Sequence, residues 1–182
     1  MIKLLFHCNL AIHYAMLLGT VFSIWRPANR IWPPPGKSSW QYYSSWILFY
    51  TAMILTGLLS LLTWNTWRIT TEIKFFIGLP MIILGSWFVS WGILTLGIKN
   101  TVGIRDDFIE SGPYQFTRNP QYIGDIVLFI GVALFVNSIY ATIPLLLQSI
   151  IFLIVPFAEE TWLKERYGRK YFSYKIKTPR FL

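Results

Sequence analysis

The sequence predicts an all-α integral membrane protein. It has five transmembrane helices, the last two folded as a hairpin, followed by a C-terminal helix on the cytoplasmic interface. Three observations carry this. The chain of 182 residues is 54% hydrophobic and only 13% charged, whereas soluble domains carry roughly 25% charged residues. Its apolar residues gather in runs near the length that a bilayer core about 30 Å thick demands, about 20 residues per helix. Its 16 Lys and Arg against 8 Asp and Glu, a formal charge of +8, avoid those runs and crowd into connections and the C-terminus.

Taken in order, the first span covers residues 4–25. It is longer than the apolar region of a signal peptide, and no small-residue cleavage site follows it, so it reads as a retained helix. Residues 46–64 form the second span and 75–98 the third. In the third, Gly78, Gly85 and Gly92 recur every seven residues, a stripe of small residues that lets helix backbones approach closely. The fourth span, 122–136, rises only about 22 Å at 1.5 Å per residue, so it borrows polar residues at its start or thins the bilayer. Asn137-Ser138 turns the chain into the fifth span, 139–157. Beyond it, residues 161–177 read as one surface helix with Tyr167, Tyr171 and Tyr174 on a shared face, ended by Pro179. The whole of 1–182 is expected to be a single membrane domain, with its motifs in 99–182 and a C-terminal segment over 159–182.

Five spans place the termini on opposite sides. One side receives Arg26, Arg30 and Lys37, then Lys99, Arg105 and Arg118, then the basic tail; the other has only Lys3, Arg68 and Lys74. Basic residues mark the cytoplasmic side, so the C-terminus is expected inside and the N-terminus outside. The charge excess then points to an anionic lipid surface rather than nucleic acid. The lone cysteine, Cys8, excludes an internal disulfide and a cysteine metal cluster. His7 and His13 have no third ligand beside them, so no metal site is expected.

Chemistry concentrates around the last hairpin. Gly112-Pro113-Tyr114 marks a turn. Asn119 suits a helix cap and Pro120 a first helical position. Arg118, Tyr122 and Asp125 are spaced by four and three, which places them on one helical face. Glu159 and Glu160 close the fifth span just after Pro156, so a hairpin returns them beside the start of the fourth. Ionisable groups at a membrane mouth are expensive and mark function. Alone, the two glutamates fit a solvated helix end paired with Lys164; beside the Arg118 face they fit a ligand. The first loop carries Trp32-Pro33-Pro34-Pro35-Gly36, a stiff extended segment that reads equally as a strap over the cytoplasmic face or as a spacer.

Taken together, Gly112-Pro113-Tyr114, Arg118-Asn119-Pro120-x-Tyr122-x-Gly124, Glu159-Glu160, Tyr167-Gly168-x-x-Tyr171 and Pro179-Arg180-Phe181 resemble the isoprenylcysteine carboxyl methyltransferase family. Phospholipid N-methyltransferases share the pattern. The resemblance covers about 99–182 and implies an integral membrane methyltransferase using S-adenosylmethionine. It implies cofactor-binding roles for Arg118, Asn119, Tyr122, Gly124, Glu159, Glu160 and Tyr171. Asn119 stands where histidine is commonest, and an amide does not titrate near neutral pH. The glycine-x-glycine of some phospholipid enzymes is not evident, which weighs against that subclass.

The physics of the implied cofactor agrees. Its carboxylate suits Arg118, its ammonium or hydroxyls suit Glu159 or Glu160, and its sulfonium suits the faces of Tyr122 or Tyr171. If the acceptor is an amine, Glu160 or Asp125 is placed to take its proton. Arg180 meets either an anionic acceptor or lipid phosphate. The acceptor is a hydrophobic or lipid-like molecule entering from the bilayer; a prenylated cysteine, a phospholipid amine, a thiol and an isoprenoid or quinone-like acid all remain open. Two other readings stand beside this one. Tyr122-x-Gly124-Asp125 is similar to a segment of sterol reductases, which implies NADPH. A non-catalytic membrane scaffold would need no polar cluster.

Overall fold

The structure is a computed structural model that describes residues 1–102 and 108–181. Arg105, counted above with the basic residues, and Leu182 lie outside them. Among the described residues every regular element is helical. We name the helices α1 (Ile2–Trp25), α2 (Trp40–Leu62), α3 (Thr71–Leu96), α4 (Pro120–Val136), α5 (Ile139–Tyr167) and α6 (Arg169–Lys177). By length and composition α1, α2, α3 and α5 are long and apolar enough to cross a membrane, while α4 is apolar but shorter.

Local chemistry explains the boundaries. α2 begins six residues earlier than its apolar run predicts because Ser39 caps it, accepting from the backbone N–H of Tyr42 at 3.2 Å and satisfying one of the free donors of the first turn. α3 contains a π-turn over Lys74–Gly78. Pro120 opens α4 as its first residue, where the missing N–H is harmless. Arg118 therefore precedes the helix, and the expected face shared by Arg118, Tyr122 and Asp125 is not helical at its first member.

α4 ends at Asn137, whose left-handed backbone (φ 55) turns the chain directly into α5. The same residue ties that turn to the α2–α3 connection. Its Oδ1 accepts from the N–H of Ile69 at 2.9 Å, and its Nδ2 donates to Asn65 Oδ1 at 2.7 Å. The expected hairpin of the last two apolar runs is present, with α4 packed on α5.

The most intimate helix pair is α3 with α4, running antiparallel. A Cβ added at Gly85 would lie 2.5 Å from the backbone N of Leu128 and 2.7 Å from the carbonyl of Gly124; one added at Gly78 would lie 3.2 Å from the carbonyl of Gly131. The glycine stripe is thus a packing device, as its spacing predicts. Gly124 belongs to it as well. It packs against Gly85 and Val89, whose backbone N an added Cβ would meet at 2.7 Å.

α1 and α2 pack against α5 on the other side. Between them lies a buried polar set. Asn9 Nδ2 donates to Thr56 Oγ1 at 2.9 Å and His13 Nδ1 donates to the Asn9 carbonyl at 2.9 Å; Gln148 of α5 is fully buried as well. No His, Cys, Asp or Glu group able to hold a metal occurs among the described residues.

α5 is 29 residues long, about 44 Å at 1.5 Å per residue. That exceeds a hydrocarbon core of about 30 Å, so its final turns project past Phe157. It does not stop at Glu160 to begin a separate surface helix at residue 161. It continues to Tyr167 and breaks at Gly168, whose φ of 51 and ψ of −120 are a conformation open to glycine and costly for other residues. α6 then folds back over the end of α5.

Candidate functional site

Four segments that are distant in sequence meet at the projecting end of α5. They are the proline loop between α1 and α2, the turn Gly112–Gln115 with the approach to α4, the end of α5, and α6 with the tail. They enclose a cleft of about 120 Å³. Its walls include the Tyr114, Tyr167, Tyr171 and Tyr174 rings with Phe108, and its polar lining includes Arg118, Asn119, Tyr122, Glu159 and Glu160.

The backbone holds these parts in register. The N–H of Arg118 donates to the carbonyl of Pro179 at 2.9 Å. Thr117 Oγ1 and Asn119 Nδ2 both donate to the carbonyl of Arg180, each at 3.0 Å. The amide of Asn119 therefore clamps the tail. Tyr174 Oη donates to the carbonyl of Tyr114 at 2.6 Å. Phe108 stacks near Tyr167, with centroids 4.9 Å apart, and stands edge-on to Tyr171 and Tyr174.

The two glutamates are adjacent in sequence and opposite in surroundings. Glu160 faces three cations: Arg180 Nε at 2.6 Å, Arg118 Nη1 at 2.9 Å and Lys175 Nζ at 3.0 Å. One carboxylate against three cations leaves this cluster with surplus positive charge. Arg118 and Glu160 are both nearly excluded from solvent. Arg118 also donates to Tyr171 Oη at 3.0 Å, yet its Nε is buried with no partner. Burial pushes the Tyr171 phenol up to about 12, aided by the Glu160 charge and opposed by Arg118, so it remains a neutral acceptor for the guanidinium. The hydrogen bond to Glu160 raises Arg180 further above its ordinary value, and its guanidinium carbon sits 3.9 Å over the Phe157 ring.

Glu159 meets no cation among the described residues. Its Oε1 accepts from Trp32 Nε1 at 2.7 Å and from Tyr122 Oη at 2.6 Å, both neutral donors. The cleft is therefore electrically polarised: an uncompensated carboxylate on one wall, and on the next the Arg118–Glu160 pair, backed by Lys175 and Arg180, which give that side a cationic surplus.

Of the sequence-predicted site residues, Arg118, Asn119, Tyr122, Glu159, Glu160 and Tyr171 line this cleft. Three candidates stand elsewhere. Gly124 is buried against α3. Asp125, one helical step past the mouth, does not line the cleft and makes no hydrogen bond or ion pair among the described residues. Arg180 lies behind Glu160 as its ion-pair partner instead of on the wall. Trp32 was missed as a site residue, although its loop was legible as a strap: its indole reaches Glu159 and Pro33 is buried in the lining. Lys175 was missed too, because its partner Glu160 lies fifteen positions away across the Gly168 break.

Fold and site together define a polytopic helical membrane protein with a charge-polarised cleft roofed by its own C-terminal segment. Residues 73–170 match the phospholipid methyltransferase family, and the chain belongs to that family. It is 34% identical over 110 residues to phosphatidylethanolamine N-methyltransferase B of Dictyostelium discoideum, a match covering 57% of this chain and 55% of that protein. The chain thus matches about half the length of this curated relative. No solved structure matches the chain. The missing glycine-x-glycine had weighed against the phospholipid subclass; the family match overturns that inference, and the finer isoprenylcysteine reading gains nothing from it.

Proposed function

We propose that the protein is an S-adenosylmethionine-dependent methyltransferase acting on the amine of a phospholipid headgroup at the membrane surface. The observation that carries this is the polarised cleft: Glu159 without a cation, beside a cluster of Arg118, Lys175 and Arg180 with only Glu160 to balance it. A ligand bearing both an ammonium and an anion matches that pattern, and both the methyl donor and a phosphoethanolamine headgroup are such molecules. The similarity to a phosphatidylethanolamine N-methyltransferase supports the amine over a carboxylate acceptor.

The donor's fit rests on the chain's own groups. The Nε of Arg118 is a buried donor without a protein partner, and a charge-assisted bond to an anionic oxygen there is among the strong ones. Tyr171 and Tyr122 offer aromatic faces for a sulfonium. When bound, the cofactor supplies an electrophilic methyl group. Glu159 serves as the proton acceptor for an acceptor ammonium: it lines the cleft and lacks a competing cation. Glu160 is committed to three cations and Asp125 is off the wall, so neither replaces it. Lys175 and Arg180, both partly exposed beside Glu160 and outside the cleft lining, are placed to meet an anionic acceptor group that approaches from the membrane surface.

We further infer that α4 completes a five-span topology, its polar first turn reaching the interface, with the cleft and both basic loops cytoplasmic and the N-terminus outside. The distribution of Lys and Arg supports this orientation. Neither the reductase nor the scaffold reading draws support from the family match.

The test is calorimetric titration of nanodisc-embedded protein with S-adenosylmethionine, followed by mass spectrometry of phosphatidylethanolamine incubated with it. The native protein is expected to bind and to yield monomethylated lipid. Arg118→Ala should weaken binding by about tenfold or more, the worth of a charge-assisted hydrogen bond, while Asp125→Asn should bind like the native chain. Folded protein that shows no binding removes the proposal.

A further inference from the structure

We propose that α6 is a docking surface for anionic phospholipid, and that its docking holds the roof of the cleft in place, so that lipid charge regulates the site. The regulatory half of this rests on the function proposed above; the docking half does not.

α6 has two faces with different tasks. Its inner face is built into the site: Tyr171 and Tyr174 are buried, and Lys175 reaches Glu160 at 3.0 Å. Its outer face is split. Phe172 and Ile176, 63% and 72% exposed, are four residues apart and form one apolar flank. Arg169, Lys170 and Lys177 are exposed on the other flank, where with Ser173 they border an open groove whose single acidic wall is Glu110. None of these three cations is ion-paired among the described residues. An apolar strip beside a basic strip on one helix is the pattern that lies in a membrane interface.

The occupant follows from position and charge. α6 folds back over the end of α5, and the tail it leads into places Arg180 over Phe157, the last residue of the apolar run and 43% exposed. The lipid boundary of this chain's own spans is therefore beside α6. Unpaired cations at that boundary match anionic headgroups, each basic residue being worth about fivefold in binding.

Coupling to the cleft follows from the hinge. α6 is nine residues long, too short to hold a helix by itself, and it is attached through Gly168. Whatever pins its outer face also pins Tyr171, Lys175 and the tail strand that accepts from Arg118, Thr117 and Asn119.

The experiment compares nanodiscs of phosphatidylcholine with nanodiscs enriched in phosphatidylglycerol. A nitroxide at Ser173→Cys, in a Cys8→Ser background, reports membrane proximity through its accessibility to oxygen and to a water-soluble nickel chelate. Calorimetry on the unlabelled protein reports S-adenosylmethionine affinity. Anionic lipid is expected to move the label toward the oxygen-rich side and to tighten cofactor binding severalfold. The Arg169→Gln/Lys170→Gln/Lys177→Gln variant should lose both responses while matching the native chain in phosphatidylcholine. A label indifferent to lipid charge, or a triple variant that still responds, overturns the docking. A responding label with unchanged cofactor affinity overturns the coupling. A responding label on protein that binds no cofactor in any disc upholds the docking and overturns the methyltransferase reading instead.

Discussion

Glu159 and Glu160 show how one peptide step divides two chemical tasks. On a helix, consecutive residues point about 100° apart, so Glu160 turns toward α6 and the tail while Glu159 turns toward the proline loop and α4. Glu160 is structural in its surroundings. Replacing it with Gln leaves Arg118, Lys175 and Arg180 facing one another without a counter-charge. Breaking a buried pair at one member costs about 3 kcal/mol, and Arg118–Glu160 is the buried pair here, the other two cations being partly exposed. Glu160→Gln is therefore expected to speed hydrogen exchange across α6 and the tail relative to α4. Glu159→Gln should behave differently. The amide oxygen still accepts from Trp32 and Tyr122, so the fold persists, but proton acceptance is lost. Methyl transfer to an amine is expected to fall about 10²-fold or more, and the rise of rate with pH that a base imposes should flatten. Equal losses in both variants, with equal exchange, would contradict this division. The pair itself was legible in the sequence. Its division was not, because Trp32 lies 127 positions from Glu159 and two of the three cations on Glu160, Lys175 and Arg180, lie beyond the break at Gly168.

Among the elements, the α3–α4 pair depends on backbone approach more than on side-chain fit. At Gly85 a methyl group would meet backbone atoms of α4 at 2.5 and 2.7 Å, and backbone cannot step aside as a side chain can. Gly85→Ala is expected to destabilise the protein by about 1–3 kcal/mol through overpacking. Gly57 in α2 has nothing within 4 Å of its added Cβ. Gly57→Ala should leave stability unchanged or raise it by about 1 kcal/mol, from helix propensity. Thermal unfolding of the two variants in one detergent checks both signs. The stripe on α3 was readable because three glycines at a period of seven stand out in an apolar run. Its counterpart on α4 was not readable, since Gly124 sits within four residues of Tyr122 and Pro120 and reads there as part of the polar motif; in the fold it admits Gly85. Residues 161–177 likewise read as one surface helix because Tyr167, Tyr171 and Tyr174 share a face. In fact α5 continues, since Thr161 to Tyr167 contains no residue that stops a helix and Gly168 does.

For the molecule as a whole, the question is whether the first two helices matter to the site. The family match begins at residue 73, and no motif could be assigned before it, which would make α1 and α2 a mere anchor. The hydrogen bond from Trp32 to Glu159 argues otherwise. The loop that carries it is stiffened by three prolines, fastened below by Arg30 Nε donating to the carbonyl of Pro33 at 2.9 Å, and braced by Trp46 of α2, whose ring stands edge-on to Trp32 with centroids 6.0 Å apart. The N-terminal helices thus position one of the two donors on the carboxylate proposed to take a proton. Trp32→Phe separates packing from chemistry: it keeps an aromatic ring against Trp46 and removes only the indole N–H. A hydrogen bond to a charged group is worth about 1.5–3 kcal/mol, so methyl transfer at a fixed pH should fall about tenfold or more, with stability reduced by no more than that bond's worth. The pH at which the rate rises should move upward, because a carboxylate that loses a donor holds its proton more tightly. An unchanged pH profile in a folded Trp32→Phe protein would return α1 and α2 to the role of an anchor and leave the cleft to the family segment alone.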